Sequence, residues 1–449
     1  MGFPRYPHYK DSGVAWLGQV PEHWDVCALN YRYEVALGKM LDEKRITGNH
    51  LAPYLRNTDV QWARINIDEL PQMDFANGDL DRYSLRRGDL LVCEGGEVGR
   101  AAIWEAPLEE CYYQKALHRI RPTDSSRDSA EFLCSVFGAA ALLGVFAGSG
   151  GKSTIAHLPA ETLRRYRFPF PPPAEQTAIA AFLDRETGKI DELVAEQRRL
   201  MALLKEKRQA VISHAVTKGL NPDAPTKPSG IEWLGDVPQH WEVNRLKFVI
   251  ASVKAGPFGS ALTKDVYVSA GFRVYGQEQV IPNDFTIGDY FITPEKYDQL
   301  SQYTVSPGDI LISCVGTFGK IAIVPDSIEP GIINPRLIRL RCAQNIKAEY
   351  LVEVMRSSVT FEQLSLFSRG GTMDVINIGT LSEICLALPP IGEQGELLGF
   401  IYRETTKFDA LITEAQRAID LLKERRTALI SAAVTGQIDV RELAPEVSA

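Results

Sequence analysis

The feature that most constrains this sequence is an internal duplication, with motifs that recur after 217 to 220 residues. Residues 12–26 read SGVAWLGQVPEHWDV and residues 229–243 read SGIEWLGDVPQHWEV, a shift of 229 − 12 = 217. Further along, LLKEKRQAVISHAVT from Leu203 returns as LLKERRTALISAAVT from Leu421, a shift of 218. Because unrelated motifs recur in the same order, the chain contains one whole domain and one connecting element, each present twice.

The first part of each repeat has the pattern of mixed strands and turns. The β-rich runs DLLVC and RAAIW are separated by Gly95, Gly96 and Gly99, and glycines at such positions usually serve tight turns. Residues 128–146 and 348–366 carry apolar side chains at three-to-four spacing, which predicts helices. We therefore predict an α+β fold for each repeat.

The last part of each repeat predicts one long amphipathic helix. In the first repeat this pattern follows the prolines at 171–173 and runs to about residue 216. A helix of about 40 residues is roughly 60 Å long, more than a globular domain needs. We predict that the two helices pack antiparallel as a coiled coil, so that pseudo-twofold-related domains lie at its two ends. The alternative is that each helix packs only on its own domain.

The apolar positions of the predicted coiled coil recur with a seven-residue rhythm. They are also the surface that we assign to a partner. The residues are Ile190, Leu193, Leu200, Leu204, Val211, Phe408, Leu411, Ile419, Leu422 and Leu429.

No motif in the sequence indicates a catalytic centre or a metal site. The seven histidines show no H-E-x-x-H spacing, and the seven cysteines form no C-x-x-C pair. The stretch GSGGKST at 148–154 resembles a phosphate-binding loop, but Phe146 stands where the first glycine of that motif is required. We predict no catalytic residue, no metal ligand and no cofactor held by this chain.

Composition and charge bear on location and partners. No apolar run approaches the roughly 20 residues that span a bilayer, and the first residues lack the apolar core of a secretory signal, so we expect a cytoplasmic protein without a membrane partner. The formal charge of −8 argues mildly against nucleic acid. Arg-rich stretches at 82–87 and 164–167 would still supply local basic surface.

Several motifs together resemble one family. They are GPFGSALTKD at 256–265, GDILISCVGTFGK at 308–320, NIGTLSEICLALPPIGEQ at 377–394, and the WLGxVPxHW element in both repeats. In this combination the chain resembles the specificity subunit of type I restriction–modification systems. Where the second repeat has GPFGS, the first departs from the pattern and carries EVALGKMLDEK at 34–44.

The resemblance implies a domain organisation and a role for each part. The α+β domains would be target recognition domains that each read one half of a split DNA sequence, and the coiled coil would set the distance between the halves and dock partner subunits. We expect target recognition domain 1 at 1–171, a spacer helix at 172–218, linker and target recognition domain 2 at 219–388, a second spacer helix at 389–436 and a C-terminal tail at 437–449.

The resemblance also implies partners and cofactors. The chain would bind double-stranded DNA and direct two methyltransferase subunits and the restriction (translocase) subunits to it. S-adenosylmethionine, ATP and magnesium would be held by those partners. Two other function classes stay open: a self-sufficient enzyme, and a non-catalytic scaffold that joins two protein partners through its coiled coil.

Residues that contact DNA are expected to be Arg, Lys, Asn and Gln at base edges, with cations and backbone amides at phosphates. GG-containing segments near Lys152 and Thr372 would allow close backbone approach to a phosphate, and the strand pattern KALHRIR places Arg119 and Arg121 on one face. For any single residue, a solvated surface charge is the competing interpretation. The predicted set is Arg56, Arg64, Lys115, Arg119, Lys152 and Ser153 in the first domain, and Lys264, Gln277, Lys320, Arg336, Arg369 and Thr372 in the second.

The duplicated tryptophans have a structural interpretation. Trp16 and Trp24 recur as Trp233 and Trp241, each pair close to a proline. Aromatic residues at such positions are typical packing anchors. We predict that they fix each domain against the long helices.

Overall fold

A computed structural model describes residues 3–40, 46–75, 77–147, 157–314, 320–367 and 376–443. The chain forms two compact units. Unit 1 contains Met1–Gln197 together with Arg417–Ala449, and unit 2 contains Arg198–Gln416. Each unit therefore combines one α+β domain with part of both long helices.

Unit 1 contains short strands and helices that precede the first long helix. Its strands are Tyr9–Asp11 (β1), Gln19–Pro21 (β2), Asp25–Ala28 (β3), Tyr33–Leu37 (β4), Leu51–Leu55 (β5), Val60–Gln61 (β6), Arg64–Ile65 (β7), Gln72–Asp74 (β8), Asp89–Cys93 (β9), Ala101–Trp104 (β10), Tyr112–Tyr113 (β11), Leu117–Pro122 (β12) and Arg167–Phe170 (β13). Its short helices are Asn77–Tyr83 (α1), Ala130–Leu142 (α2) and Ala160–Arg165 (α3), and the first long helix is Pro173–Lys218 (α4).

Unit 2 contains the corresponding elements of the second repeat. Its strands are Thr226–Pro228 (β14), Asp236–Pro238 (β15), Glu242–Arg245 (β16), Ile250–Ala255 (β17), Phe272–Tyr275 (β18), Phe291–Ile292 (β19), Ile310–Ser313 (β20), Ile321–Ile323 (β21), Gly331–Ile333 (β22), Leu337–Cys342 (β23) and Cys385–Leu388 (β24). Its short helices are Gln277–Val280 (α5), Pro294–Gln299 (α6), Ala348–Arg356 (α7), Ser358–Phe367 (α8) and Ile378–Ser382 (α9), and the second long helix is Ile391–Val434 (α10).

The two units share one sheet topology. Unit 1 has a four-stranded antiparallel sheet in the order β10-β9-β12-β4 and a three-stranded sheet in the order β11-β5-β8. Unit 2 repeats both, as β21-β20-β23-β17 and β19-β18-β22, and the pairs β11·β5 and β18·β22 are the parallel ones in each. The predicted α+β class is confirmed, and the duplication in sequence corresponds to a duplication of fold.

The paired GD motifs begin the central strands β9 and β20. Gly88 and Gly308 have φ values of 87° and 80°, a conformation that glycine adopts without strain. Asp89 accepts a hydrogen bond from the Arg86 amide at 2.7 Å and also pairs with Arg121. Asp309 makes the corresponding bonds to the Ser306 amide and the Arg341 side chain. These carboxylates form turns and ion pairs inside the domain.

The long helices begin and end with recognisable signals. Pro173 occupies the first helical position of α4, where its missing amide hydrogen removes no hydrogen bond. Each helix is followed within two residues by a glycine with positive φ, Gly219 at 75° and Gly436 at 72°, as is common after a helix C-terminus.

Parts of α4 and α10 run antiparallel within each unit. In unit 2, Arg208 pairs with Asp409 at 2.9 Å, and Val216 near the end of α4 shares a core with Leu397 near the start of α10. In unit 1, Arg426 pairs with Asp191 at 3.1 Å. The prediction of long, mutually packed antiparallel helices is confirmed within each unit.

The predicted coiled-coil positions differ in burial. Ile190, Leu204, Ile419 and Leu429 are buried. Another three are half-buried, namely Val211, Phe408 and Leu422. The remaining three are exposed, namely Leu193, Leu200 and Leu411. The seam is therefore narrower than predicted, and part of the apolar stripe faces away from the core.

One tryptophan of each pair locks its domain onto a long helix. Trp24 is fully buried and its Nε1 donates to Glu175 in the first turn of α4 at 3.1 Å, while His23 Nε2 lies 2.8 Å from the same carboxylate. In unit 2 the same contacts join Trp241 and His240 to Glu393 in the first turn of α10. The prediction that the duplicated tryptophans are packing anchors at the long helices is confirmed for Trp24 and Trp241.

The last residues that the structure describes, 437–443, pack on the beginning of unit 1. The Asp439 amide donates to the Pro4 carbonyl at 2.8 Å, and Arg185 of α4 donates to the Leu443 carbonyl at 2.9 Å. Unit 1 is thus closed by a segment that follows α10. Among the described residues, no helix is both long and apolar enough to cross a membrane.

Candidate nucleic-acid interface

Several chain segments of unit 1 meet at one end of its four-stranded sheet. The Lys115 amide donates to the Lys39 carbonyl at 2.8 Å, and the Glu94 amide donates to the Ala116 carbonyl at 3.0 Å. The Leu158 amide in turn donates to the Glu94 carbonyl at 2.8 Å. We call this group the strand-end cluster of unit 1; it comprises residues 38–40, 94–99, 114–116 and 157–158.

Unit 2 builds the corresponding cluster and repeats two of these hydrogen bonds. The Cys314 amide donates to the Arg336 carbonyl at 3.0 Å, and the Ile376 amide donates to the Cys314 carbonyl at 2.9 Å. The Ser313 amide donates to the Lys320 carbonyl at 3.0 Å. The strand-end cluster of unit 2 comprises residues 256–258, 313–314, 320, 334–336 and 376.

One glycine in each cluster permits a close backbone approach. A Cβ on Gly38 would lie 2.2 Å from the Gln114 carbonyl oxygen, and a Cβ on Gly256 would lie 1.8 Å from the Asn334 carbonyl oxygen. Neither distance is compatible with any side chain. At each glycine the backbone therefore lies directly against the neighbouring segment.

Family comparison identifies both domains. The model of the type I restriction modification DNA specificity domain matches residues 21–198 and again residues 238–419. The chain belongs to this family. Each match covers one of the two strand-end clusters and the beginning of the long helix that follows it.

Two curated relatives match this chain, one of them along nearly its full length. The putative type I restriction enzyme MjaX specificity subunit of Methanocaldococcus jannaschii is 23% identical over 98% of this chain and 99% of its own length. The type I restriction enzyme EcoBI specificity subunit of Escherichia coli is 24% identical over 64% of this chain and 61% of its own length.

Solved structures show the same fold. A chain in a structure that describes assembly and conformational transition of a type I restriction–modification system aligns with a TM-score of 0.71 at 15% identity, covering 92% of this chain and 98% of that one. The HsdS subunit from Thermoanaerobacter tengcongensis aligns with a TM-score of 0.53 at 16% identity, covering 93% and 98%. At these identities the likeness shows the fold alone.

Four of the predicted DNA-binding residues lie in or beside the strand-end clusters of the specificity domains. Lys115, Lys320 and Arg336 are exposed there. Gln277 begins α5 and donates from Nε2 to the Ser313 hydroxyl at 2.7 Å, which places its carboxamide at the end of β20. Their contact with DNA stays a prediction; Lys115 lies in the cluster of unit 1, and the other three lie in or beside the cluster of unit 2.

Two more of the predicted residues lie near the cluster of unit 1. Arg56 donates two hydrogen bonds to the Asp59 carboxylate, so its guanidinium is already engaged. Arg64 is exposed on β7, in the β6–β7 hairpin. That hairpin is tied to the cluster because Trp62 Nε1 donates to Glu97 at 2.6 Å.

The other predicted residues fall elsewhere. Lys264 is exposed on a 3₁₀ turn, and no hydrogen bond that the structure gives connects it to the cluster of unit 2. Lys152, Ser153, Arg369 and Thr372 lie outside the described residues.

Arg119 requires a correction. It is buried on β12, where it donates to the Arg82 and Ser84 carbonyls at 3.1 and 3.2 Å and to Glu34 at 3.0 Å. Its equivalent in unit 2, Arg339, is likewise buried. The alternation of the strand is as predicted, but this face of the sheet is covered, so we assign Arg119 a structural role.

Sequence reasoning missed Asn57, the unit 1 equivalent of Gln277 (57 + 220 = 277). Its carbonyl accepts a hydrogen bond from Arg100 at 2.7 Å, and its Nδ2 lies 3.5 Å from where a side chain on Gly96 would begin. Carboxamides are the side chains that pair with adenine in two hydrogen bonds. The register of the repeat was the signal that could have found it.

The two clusters also differ in charge. Glu94 occupies the position that Cys314 occupies in unit 2. Burial raises the pKa of Glu94 above its usual range, and the charges of His157 and Lys115 oppose this effect only in part. One cluster thus has an acidic hydrogen-bond acceptor where the other has none. This difference predicts that the two domains prefer different bases.

Within the described residues, no group of three or more His, Cys, Asp or Glu side chains could hold a metal ion. All seven cysteines are free. The clusters combine backbone turns with cations and carboxamides, and the cluster of unit 1 also contains carboxylates.

His118 makes the stability of unit 1 depend on pH. Burial lowers the pKa of His118 to about 4, although its bond to the Leu158 carbonyl at 2.7 Å raises it. Between pH 6.5 and 4 the unfolded chain therefore binds this proton more readily than the folded unit. We expect stability to be fully present above pH 6.5 and to fall by about 1.4 kcal/mol per pH unit through this window.

The matched variant is His118→Ile, because Ile338 occupies the equivalent position in unit 2. Urea unfolding at pH 7.0, 6.0 and 5.0, followed by hydrogen exchange in unit 1, measures the slope. The difference between wild type and variant isolates His118 from the carboxylates that also titrate. Equal slopes for the two proteins would contradict the assignment.

Proposed function

We propose that this chain is the DNA specificity subunit of a type I restriction–modification complex and that each strand-end cluster reads one half of a bipartite target. The observation that carries the proposal is the double match to the specificity-domain family, with one cluster in each match. Two readers joined in one chain gain affinity through effective concentration and impose a fixed spacing on the two half-sites.

In this function the chain selects the site and performs no bond-making step itself. The methyltransferase and restriction subunits would supply the chemistry and hold S-adenosylmethionine, ATP and magnesium. The strand-end clusters contribute cations for phosphates and carboxamides for base edges. Among the described residues, Lys115 in the cluster of unit 1 and Lys320 with Arg336 in the cluster of unit 2 are exposed and available for this contact.

The exposed leucines of the long helices support a docking role for partner subunits. Leu193 and Leu411 are equivalent in the repeat (193 + 218 = 411) and are 50% and 53% exposed. Leu203 and Leu421 form a second equivalent pair and are also exposed. Because the same apolar positions face solvent in both units, we propose that they bind two copies of one partner, the methyltransferase subunit.

The test is to co-express the chain with its neighbouring methyltransferase subunit and map N6-methyladenine across a plasmid by single-molecule sequencing. We expect methylation at one split motif, with two specified halves and a fixed unspecified gap. In the variant Lys320→Gln/Arg336→Gln, methylation should relax at one half only, while Lys115→Gln should affect the other half.

The variant Leu193→Glu/Leu411→Glu separates this function from a protein scaffold. It should lose the methyltransferase subunit in size-exclusion chromatography and still bind the DNA motif. A stable complex whose methylation shows no sequence preference, unchanged by the Lys320→Gln/Arg336→Gln substitutions, would refute the specificity role and leave the scaffold as the function.

A further inference from the structure

Each strand-end cluster presents one large apolar side chain to solvent at the same place. Met40 is 65% exposed and Phe258 is 73% exposed. The two are equivalent in the repeat, since 40 + 218 = 258, and each stands two residues after the glycine of its cluster. Single exposed apolar side chains are common on protein surfaces. Recurrence of one at the same position of two diverged domains points to a shared contact.

The glycine that precedes each of these side chains by two residues is fixed by a hydrogen bond and by close packing against the neighbouring backbone. In unit 1 the Gly38 amide donates to the Leu117 carbonyl at 3.0 Å. In unit 2 the Gly256 amide donates to the Leu337 carbonyl at 2.9 Å. With the close approach of each glycine to the neighbouring backbone, these bonds fix the point from which Met40 and Phe258 project.

Each of the two side chains shares its cluster with cations, and the cluster of Met40 also contains the acidic residues Glu94 and Glu97. Lys115 lies in the same cluster as Met40, and Lys320 and Arg336 lie in the same cluster as Phe258. Phe258 itself has extended backbone, with φ −99° and ψ 164°, before Gly259 turns the chain at φ 68°. An apolar side chain that projects beside cations is an arrangement by which proteins enter a base step while phosphates are held nearby.

We propose that Met40 and Phe258 are apolar wedges that insert between stacked bases, one in each half-site, and open the stack there. This inference rests on the proposed function and adds a mechanical role to it. Met and Phe are among the side chains that unstack base steps, at a cost of a few kcal/mol per step. A protein that must deliver an adenine to a partner for extrusion benefits when the step is already opened, because extrusion itself requires unstacking.

The proposal predicts which bases become reactive. Methylation mapping first gives the motif. The full chain, in complex with its methyltransferase subunit, is then bound to the cognate duplex without S-adenosylmethionine. The reactivity of each thymine to permanganate is measured along both strands. Wild type should show hyperreactive positions in both halves. Phe258→Ala should lower reactivity at least about 5-fold in one half only, and Met40→Ala in the other half only.

Conservative and control variants separate a wedge from other contacts. Phe258→Leu should keep most of the reactivity, because insertion needs an apolar side chain and not a ring. Phe258→Ala should weaken binding to the cognate duplex about 10-fold, as expected for loss of one base contact. Phe248→Ala removes another exposed aromatic of the same unit, on the 3₁₀ turn Leu246–Phe248, and should change neither quantity.

Other outcomes would refute the wedge proposal while leaving the proposed function intact. A wild-type complex that methylates a split motif but shows no hyperreactive base refutes the wedge alone. If Phe258→Ala leaves the reactivity unchanged and instead releases the methyltransferase subunit, then Phe258 contacts that protein and the wedge is wrong. If wild type shows no sequence preference at all, the proposed function fails first.

Discussion

Arg32→Val is expected to destabilise unit 1 by about 3–5 kcal/mol, the usual effect of stranding a buried charge. Arg32 and Asp128 are both buried and are joined by two hydrogen bonds, Nε to Oδ2 at 2.8 Å and Nη2 to Oδ1 at 2.6 Å. Burial lowers the pKa of Arg32, but the bonds and charge of Asp128 outweigh this effect and raise it. Removal of the arginine would leave the carboxylate without its counter-charge.

Unit 2 shows how the same position is built without charge. Val249 and Ile346 occupy the equivalent positions and belong to one buried apolar cluster. The double variant Arg32→Val/Asp128→Ile should therefore be far more stable than either single variant, since a buried ion pair can be replaced by apolar residues at little cost. A coupling energy of about 2 kcal/mol or more between the two positions is expected.

The measurement is urea unfolding of the two single variants, the double variant and wild type, with hydrogen exchange used to follow unit 1. The control is Arg426→Val, which removes an exposed ion pair with Asp191 in the same unit and should cost no more than about 1 kcal/mol. A double variant as unstable as the sum of the single variants would show no coupling between the two positions and would contradict the predicted role of the ion pair.

Trp24→Ala is the second change with a large expected effect, about 3–5 kcal/mol from lost packing alone. The same substitution removes a hydrogen-bond donor from the buried Glu175, which would keep only its bonds from Tyr6 and His23. Its counterpart Glu393 is 27% exposed, so water can replace the indole after Trp241→Ala. We expect Trp24→Ala to cost about 1–2 kcal/mol more than Trp241→Ala.

The milder change Trp24→Phe isolates the hydrogen bond, with Trp16→Phe as its matched control in the same unit. Trp16 Nε1 is buried and finds no acceptor within the part of the chain that the structure describes, so its loss strands nothing. Denaturant midpoints of the two phenylalanine variants give the comparison. Equal destabilisation by Trp24→Phe and Trp16→Phe would contradict a role for the bond between Trp24 and Glu175.

The sequence predicted what depends on periodicity and duplication. The α+β class, the long helices and the anchoring role of Trp24 and Trp241 all follow from patterns that recur in both repeats. Prediction failed where tertiary context decides. The alternation of β12 correctly places Arg119 on one face, but only the fold shows that carbonyls at 82 and 84 cover that face.

The helix seam shows the same limit. A heptad rhythm gives the direction of an apolar stripe but not its covered width, so Leu193 and Leu411 were predicted as seam positions and are exposed. The candidate site was predicted in part, because Lys115, Lys320 and Arg336 were chosen as cations. Their grouping depends on hydrogen bonds between segments far apart in sequence.

Unit 1 combines two segments that lie far apart in the chain, and this affects the order in which the units can fold during synthesis. The Tyr9 hydroxyl donates to the Gly436 carbonyl at 3.0 Å, across 427 residues of chain, whereas all of unit 2 lies within 198–416. At a synthesis rate of about 5–20 residues per second, the partner of Tyr9 emerges roughly 20–90 s after Tyr9 itself. The domain that is translated first is thus completed last, and during that interval its helix-facing surface is available to chaperones and proteases.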